Sequence, residues 1–206
     1  MILIGRLLSP FVRRVQVTIN LLGVECERKP YGTATHSDEI GAVNPLRRVP
    51  ALILDDGETL IDSNAILDYL DQTVGPQRAL IPASGVERRK VLRLLALAVG
   101  AAEKGVTAFY EKTRRPDGTF WQQGFDAYSE QILGGLQALE QAAPEDGGWL
   151  AGSRMSQADI TTAVVIEFID SVLPDLIGEQ QLPRLRALVS RMNELEVFSA
   201  THPSRE

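Results

Sequence analysis

Cysteine is nearly absent: the 206-residue chain holds one, Cys26. No intramolecular disulfide can form, and no Cys-x-x-Cys redox or zinc motif exists. Histidine is almost as scarce, with only His36 and His202, so a histidine-rich metal centre is not expected. Lys and Arg number 21 against 27 Asp and Glu, a net charge of −6. That balance excludes a general polyanion binder, and no nucleic-acid partner is expected. No apolar run approaches the length of about 18 residues that a membrane span needs. The opening segment MILIGRLLSPFVRRV has neither a long apolar stretch nor a small-residue cleavage site of the secretory kind. A soluble cytoplasmic protein with no membrane partner is the expectation. What is present, 44% hydrophobic and 23% charged residues, suffices for a packed core and rules out wholesale disorder.

The texture changes near residue 80. Before it, short β-like runs alternate with helical patterns; after it, the pattern is helical almost to the end. Gly75, Pro76, Pro82 and Gly85 punctuate a linker expected at about 72–85. Two domains follow, at 1–80 and 86–206. In the first, Ile2–Ile4 reads as a strand. Ser9-Pro10 opens a helix, serine as N-cap and proline at N1. Its apolar face is Val12, Val15, Ile19 and Leu22, and Gly23 closes it. Val24–Tyr31 reads as a second strand, with parallel pairing through a βαβ crossover. A short helix is expected over His36–Ala42. Ala51–Leu54 and Thr59–Ile61 flank Asp56-Gly57, a tight hairpin signal. Ser63 is expected to cap a helix that buries Ile66, Leu67 and Leu70. The order is βαβ, α, ββα.

The second half reads as an all-α bundle. A long helix over about Val86–Thr113 would turn Leu92, Leu95, Val99, Val106 and Phe109 inward. Its other face is small (Ala98, Ala101, Ala102, Gly105) and open to a close neighbour. Arg115-Pro116-Asp117-Gly118 is a turn, and a helix follows over about Phe120–Ala142. Ser156-Gln157-Ala158-Asp159 is a capping box for a helix ending near Pro174. A last helix covers about Pro183–Val197, and the tail from Ser199 is expected to be loose.

Three features of the first domain point to one ligand. Ser9, at a helix start, can donate its hydroxyl beside free amides and the positive end of the helix dipole; alone, it reads more simply as a cap. Val49-Pro50 before a strand can be cis, turning the Val49 backbone outward for pairing with an extended peptide, although trans is commoner. Asp62-Ser63, at another helix start, can hold an ammonium and a carboxylate together, as an amino-acid backbone requires, or simply cap the helix. Residues 1–50 carry seven Lys or Arg and four Asp or Glu, 7 − 4 = +3 in an acidic chain. A small anion would be drawn there.

With these residues in place, the chain resembles the cytosolic-type glutathione transferases over nearly its whole length. The resemblance rests on Ser9-Pro10-Phe11-Val12-Arg13-Arg14-Val15, Asn44-Pro45-Leu46-Arg47-Arg48-Val49-Pro50-Ala51-Leu52 and Asp62-Ser63-Asn64-Ala65-Ile66. Trp149-Leu150-Ala151-Gly152, leading into Ser156–Ile160, adds to it. It implies a thioredoxin-like α/β N-terminal domain, an all-α C-terminal domain, a homodimer, and glutathione as co-substrate with no other cofactor. Ser9 matches the active-site serine of serine-type members, whose Ser-Pro-Phe motif the tau class shares. Val49 matches the residue before the cis-proline Pro50 that pairs with the cysteinyl unit. Asp62 and Ser63 match the pair that grips the γ-glutamyl group, where the family more often has Glu. His36 and Arg48 lie where a basic residue meets the glycyl carboxylate.

Chemistry follows from that resemblance. A free thiol titrates near about 8.5 and reacts as the thiolate. Lowering that value by about 2 units takes about 2.7 kcal/mol of preferential thiolate stabilisation. A hydroxyl donor at a helix start is able to supply it. Ser9 is then a donor, never a nucleophile. A small hydrophobic electrophile is expected over Ser9, between the domains. Phe11, Tyr110 and Trp121 are the candidate apolar contacts, with Phe109 and Phe120 weighed beside them and Phe109 favoured as core. Cys26, read as mid-strand, is expected to be buried and structural. The alternatives are a non-catalytic glutathione-binding or regulatory protein, or a glutathione-dependent peroxidase, dehalogenase or isomerase. Dimerisation is expected through the small-residue helix face and the first domain.

Overall fold

The computed structural model describes residues 1–178 and 181–206. They form two compact units, Met1–Ala83 with Met192–Glu206, and Ser84–Arg191.

The first unit is built on strands β1 (Ile2–Ile4), β2 (Glu27–Lys29), β3 (Ala51–Ile53) and β4 (Thr59–Ile61) in the order β2-β1-β3-β4. β1 and β2 are parallel; β1–β3 and β3–β4 are antiparallel. Helices α1 (Pro10–Leu22), α2 (Ser37–Val43) and α3 (Ser63–Val74) complete the order read from sequence. Alternation along the strands divides the core. Ile4 and Ala51 pack with Ile40 of α2. Leu3 and Leu52, opposite one another in register, point the other way, and both are fully buried. α1 packs on α3.

Helix boundaries follow local chemistry. Ser9 caps α1 and Gly23 ends it at φ 63, in the left-handed region that glycine adopts without cost. Val12, Val15, Ile19 and Leu22 are all buried. β2 is shorter than the expected Val24–Tyr31, because its partner, β1, offers three residues. Cys26 therefore lies outside the strand and is half-buried rather than buried. Burial raises its thiol pKa. α3 runs on to Val74, so the connection begins at Gly75 rather than 72. Pro76 restricts only the residue before it, which leaves Val74 free to be helical. Asp71 then accepts from the amides of Leu80 and Ile81 at 2.7 and 2.9 Å, pinning the connection to α3.

The second unit contains α4 (Gly85–Thr113), α5 (Gln122–Ala142), α6 (Gln157–Val172) and most of α7 (Pro183–Asn193). α4 packs on both α5 and α6. The buried face of α4 is not the expected one. Leu92 is 41% exposed, and Val99, Val106 and Phe109 are half-buried. The small face, Ala98, Ala101, Ala102, Gly105 and Ala108, is buried inside the chain with Val91, Leu94 and Leu95. Both stripes have helical spacing; close helix approach selects the smaller one. That face is therefore unavailable to a second subunit. α6 is buried on almost every side and opens with the expected capping box, Ser156 and Asp159.

The C-terminal segment departs most from expectation. The last helix breaks at Asn193 and resumes as α8 (Glu196–Ser199). A continuous helix would carry Phe198 off the face of Met192; after the break both are buried, at 0% and 1% exposure. The tail is not loose. Thr201 is buried. Glu206 accepts from Arg6 Nε at 3.3 Å and the Leu7 amide at 3.1 Å, and pairs with Arg28. Residues 192–206, placed with the helical half on sequence pattern, thus pack with the first unit.

Candidate functional site

The candidate residues of the first unit stand at the starts of α1, α2 and α3 and in the turn before β3. Ser9 has extended backbone (φ −69, ψ 121), and its Oγ accepts from the Val12 amide at 3.4 Å. It is half-buried. An oxygen that accepts from its own helix keeps its hydrogen for another acceptor. The loop before it is tight: a Cβ on Gly5 would lie 3.1 Å from Val49 Cβ and against Val12. Gly5 has φ 140, so glycine is needed there twice over. This close approach brings Val49 beside the start of α1. The Val49-Pro50 bond is cis, Val49 packs at the Ile4–Ile40–Ala51 cluster, and Pro50 is buried.

The third element sits one residue away from its expected place. Asp62, not Ser63, is the N-cap of α3. Its Oδ1 accepts from the Asn64 amide at 2.7 Å. Asp62 has φ 69, a conformation that costs a non-glycine residue of order 1–3 kcal/mol. Ser63 is the first helical residue and is 2% exposed, while Asp62 and Asn64 on either side are exposed.

His36 is the residue before α2. Its ring stacks on Tyr31 with centroids 4.8 Å apart, and Nδ1 lies 2.8 Å from Thr35 Oγ1. Arg48 is exposed, and its carbonyl accepts from Asn44 Nδ2 at 2.8 Å. Its neighbour Arg47 (φ 51) is turned back onto α2, donating to Ser37 and Asp38 at 2.9 Å.

The cationic surface expected over residues 1–50 is largely consumed internally. Arg13 and Arg14 are each 1% exposed, Arg6 and Arg28 pair with Glu206, and Arg47 pairs with Asp38. Arg14 is the residue that pattern reading missed. Its Nη2 donates to Asn64 Oδ1 at 3.0 Å, which ties α1 to the first turn of α3. Burial lowers its pKa to about 10, with Asp62 acting in the opposite sense. The signal was in the helix: around the arginines, α1 offers only Gln16, Thr18 and Asn20 as polar side chains. A helix apolar on nearly every side is buried.

The aromatic candidates divide between the units. Phe11 is a half-buried residue of α1. In the second unit Tyr110 is half-buried, with the Arg114 guanidinium 3.6 Å from its ring centroid. Trp121 is 51% exposed at the N-cap of α5, beside Phe120. Buried Glu111 organises this stretch by accepting from the Trp121 amide at 2.9 Å and pairing with Arg115. Among the described residues, no group of three or more His, Cys, Asp or Glu is placed to hold a metal ion. Among the same residues, no helix is long and apolar enough to cross a membrane.

Comparison with known proteins agrees with this architecture. Residues 3–78 match the glutathione S-transferase N-terminal domain, and residues 122–191 match the glutathione S-transferase C-terminal domain. A Drosophila melanogaster protein named "Probable maleylacetoacetate isomerase 1" is 30% identical over 94% of this chain and 77% of its own length. A glutathione S-transferase from Methylobacillus flagellatus KT, solved with glutathione bound, superposes with a TM-score of 0.91 at 29% identity, over 98% of both chains. A Pseudomonas fluorescens Pf-5 family member with bound glutathione gives 0.87 at 33% identity, again over 98% of both. The chain belongs to the glutathione S-transferase family. It is a glutathione transferase, with a thioredoxin-like N-terminal domain followed by a helical one.

Proposed function

We propose that this chain ionises the thiol of glutathione beside Ser9 and directs the thiolate at a small hydrophobic electrophile. The observation that carries the reading is Ser9 itself, a half-buried hydroxyl capping a 13-residue helix. A charge-assisted hydrogen bond and a helix terminus together supply about the 2.7 kcal/mol that a pKa drop of about 2 units requires. The Val49 backbone is assigned to the cysteinyl unit. Asp62 takes the γ-glutamyl ammonium, and Ser63 with the first amides of α3 takes its carboxylate. His36 or Arg48 meets the glycyl carboxylate. Phe11, on the same helix as Ser9, is the aromatic contact assigned to the electrophile. Glutathione is the co-substrate, and the location is cytoplasmic.

The test is kinetic. Glutathione should raise the melting temperature. Ser9→Ala should lower turnover roughly tenfold or more, the worth of one charge-assisted hydrogen bond, and leave glutathione affinity nearly unchanged. Turnover that survives Ser9→Ala intact overturns the role of Ser9. No turnover across a panel of electrophiles supports a non-catalytic glutathione-binding protein instead.

A second reading comes from the name of the Drosophila relative. The same thiolate adds to an electron-poor alkene, the former double bond rotates, and the thiolate is expelled. Glutathione is then regenerated, so catalytic amounts isomerise an excess of substrate; conjugation consumes it one for one. The homodimer belongs to this proposal too, through surfaces other than the small face of α4. A monomeric mass in sedimentation removes it.

A further inference from the structure

Residues 5–9 carry the chain from β1 to α1 and decide where the Ser9 hydroxyl stands. Two backbone bonds fix part of this loop. The Gly5 amide donates to the Lys29 carbonyl at 2.9 Å, and the Ser9 amide donates to the Arg6 carbonyl at 3.0 Å. Neither the sheet nor the helix provides a partner for the Gly5 carbonyl or the Leu7 amide. Leu7 is 5% exposed, and a buried amide needs an acceptor.

One ion pair meets both groups. Arg28 Nη1 donates to the Gly5 carbonyl at 3.3 Å, and Glu206 Oε2 accepts from the Leu7 amide at 3.1 Å. Arg28 and Glu206 also pair directly, and Arg6 Nε donates to the same carboxylate at 3.3 Å. Arg6 faces that carboxylate from the loop and Arg28 from β2. The contacts close a ring that runs from the Gly5 carbonyl through Arg28 and Glu206 to the Leu7 amide. Exposed ion pairs contribute little, because water screens them. The Glu206 side chain is only 10% exposed, and one of its partners is backbone. The C-terminal segment has other anchors: Phe198 and Thr201 hold it on Arg13, and a 3-10 turn over Pro203–Arg205 delivers Glu206 to the loop. What the ring restrains is therefore the loop itself.

We propose that Glu206 is a positioning residue for Ser9: paired with Arg28, its carboxylate braces residues 5–9 and so holds the Ser9 hydroxyl at the glutathione sulfur. The inference rests on the glutathione reading above. A hydrogen bond weakens steeply when its donor is misplaced or misaligned, and a site group is only as precise as its support. A loosened loop costs thiolate rather than grip, because Val49, Asp62 and Ser63 lie outside it.

Two measurements separate positioning from plain structural support. Ultraviolet titration of bound glutathione gives its thiol pKa. Calorimetry with S-methylglutathione, which has no ionisable sulfur, gives the grip. Glu206→Ala should raise the thiol pKa toward the free value of about 8.5 and lower the thiolate fraction about threefold or more at a pH below it. Affinity for S-methylglutathione should change less than about twofold. Arg28→Met should act alike, and the double variant should be no worse than either single one, since both residues complete one ring. In a Ser9→Ala protein, Glu206→Ala should leave the thiol pKa where Ser9→Ala has put it. An unmoved thiol pKa in Glu206→Ala, an equal loss of S-methylglutathione affinity, additive losses with Arg28→Met, or a further rise in the Ser9→Ala protein overturns the proposal. If Ser9→Ala itself leaves the thiol pKa unchanged, the functional reading fails, and this inference with it. A thiol pKa that rises in Ser9→Ala but not in Glu206→Ala sinks this inference alone.

Discussion

The Arg13 guanidinium lies 4.5 Å from the centroid of the Phe198 ring. Its Nε also donates to Thr201 Oγ1 at 3.2 Å. Two residues near opposite ends of the chain thereby hold one another out of water, and the helix that carries Ser9 becomes the anchor for the C-terminal segment. A cation over a desolvated ring is worth about 2 kcal/mol, and a charged hydrogen bond about 1.5–3 kcal/mol. Arg13→Ala is expected to destabilise the fold by about 2–4 kcal/mol. Amide exchange should accelerate first in residues 192–206. Urea denaturation and exchange mass spectrometry check it; protection unchanged in that segment would show that the contact does not hold it.

Gly105 sets how closely α4 approaches α6. A Cβ there would lie 3.1 Å from Phe168 Cε1 and closer still to Ile169 Cδ1. In an open helix, replacing glycine gains up to about 1 kcal/mol. Overpacking here costs about 1–3 kcal/mol, so Gly105→Val should be destabilising. Gly100, on the same helix, has nothing within 4 Å of its Cβ position. Gly100→Ala should therefore stabilise by about 0.5–1 kcal/mol. Chemical denaturation of both variants decides it; a Gly105→Val protein as stable as the parent would mean the helices separate freely.

Asp159 links acid stability to the capping box. It accepts from the Leu150 amide, the Ser156 amide and the Ser156 hydroxyl, each at 2.8 Å. Burial nonetheless outweighs these donors and raises its carboxyl above the ordinary 3.8. The folded state then binds the proton more tightly than the unfolded chain. The group's contribution to stability is full below the unfolded value and is lost as pH rises through the folded one. Asp159→Asn, which presents an amide to three donors, should cost about 2–4 kcal/mol near neutrality. The parent's margin over it should narrow as pH rises above the ordinary carboxyl value of 3.8. Denaturation at a series of pH values tests the sign, and a margin that widens with pH would mean that the three donors outweigh burial.

Much of the architecture was legible because it is local. Ser9-Pro10 and Gly23 bound α1, Asp56-Gly57 turns the hairpin, and Ser156 with Asp159 opens α6. These signals depend on backbone geometry and on hydrogen bonds spanning three or four residues. The candidate site was legible for the same reason, since Ser9 and Asp62-Ser63 stand at helix starts and Val49 precedes a proline. The misreadings share a different cause. Asp62 took the cap from Ser63 through a positive φ that no propensity anticipates. Leu92 and Val99 lost the core to Ala98 and Ala101, because two stripes of one helix were equally periodic and the neighbours' shape chose between them.

Local chemistry thus settled most of the elements, their order, and the polar groups that open α1 and α6, because caps, turns and alternation act over a few residues. Three-dimensional packing alone settled the fate of the charges. Arg13 and Arg14 read as solvated cations until Phe198, Thr201 and Asn64 closed over them, and Arg6 and Arg28 read as a free basic surface until Glu206 reached them. Burial and charge pairing are properties of residues distant in the chain, and only the folded arrangement brings them within reach of each other.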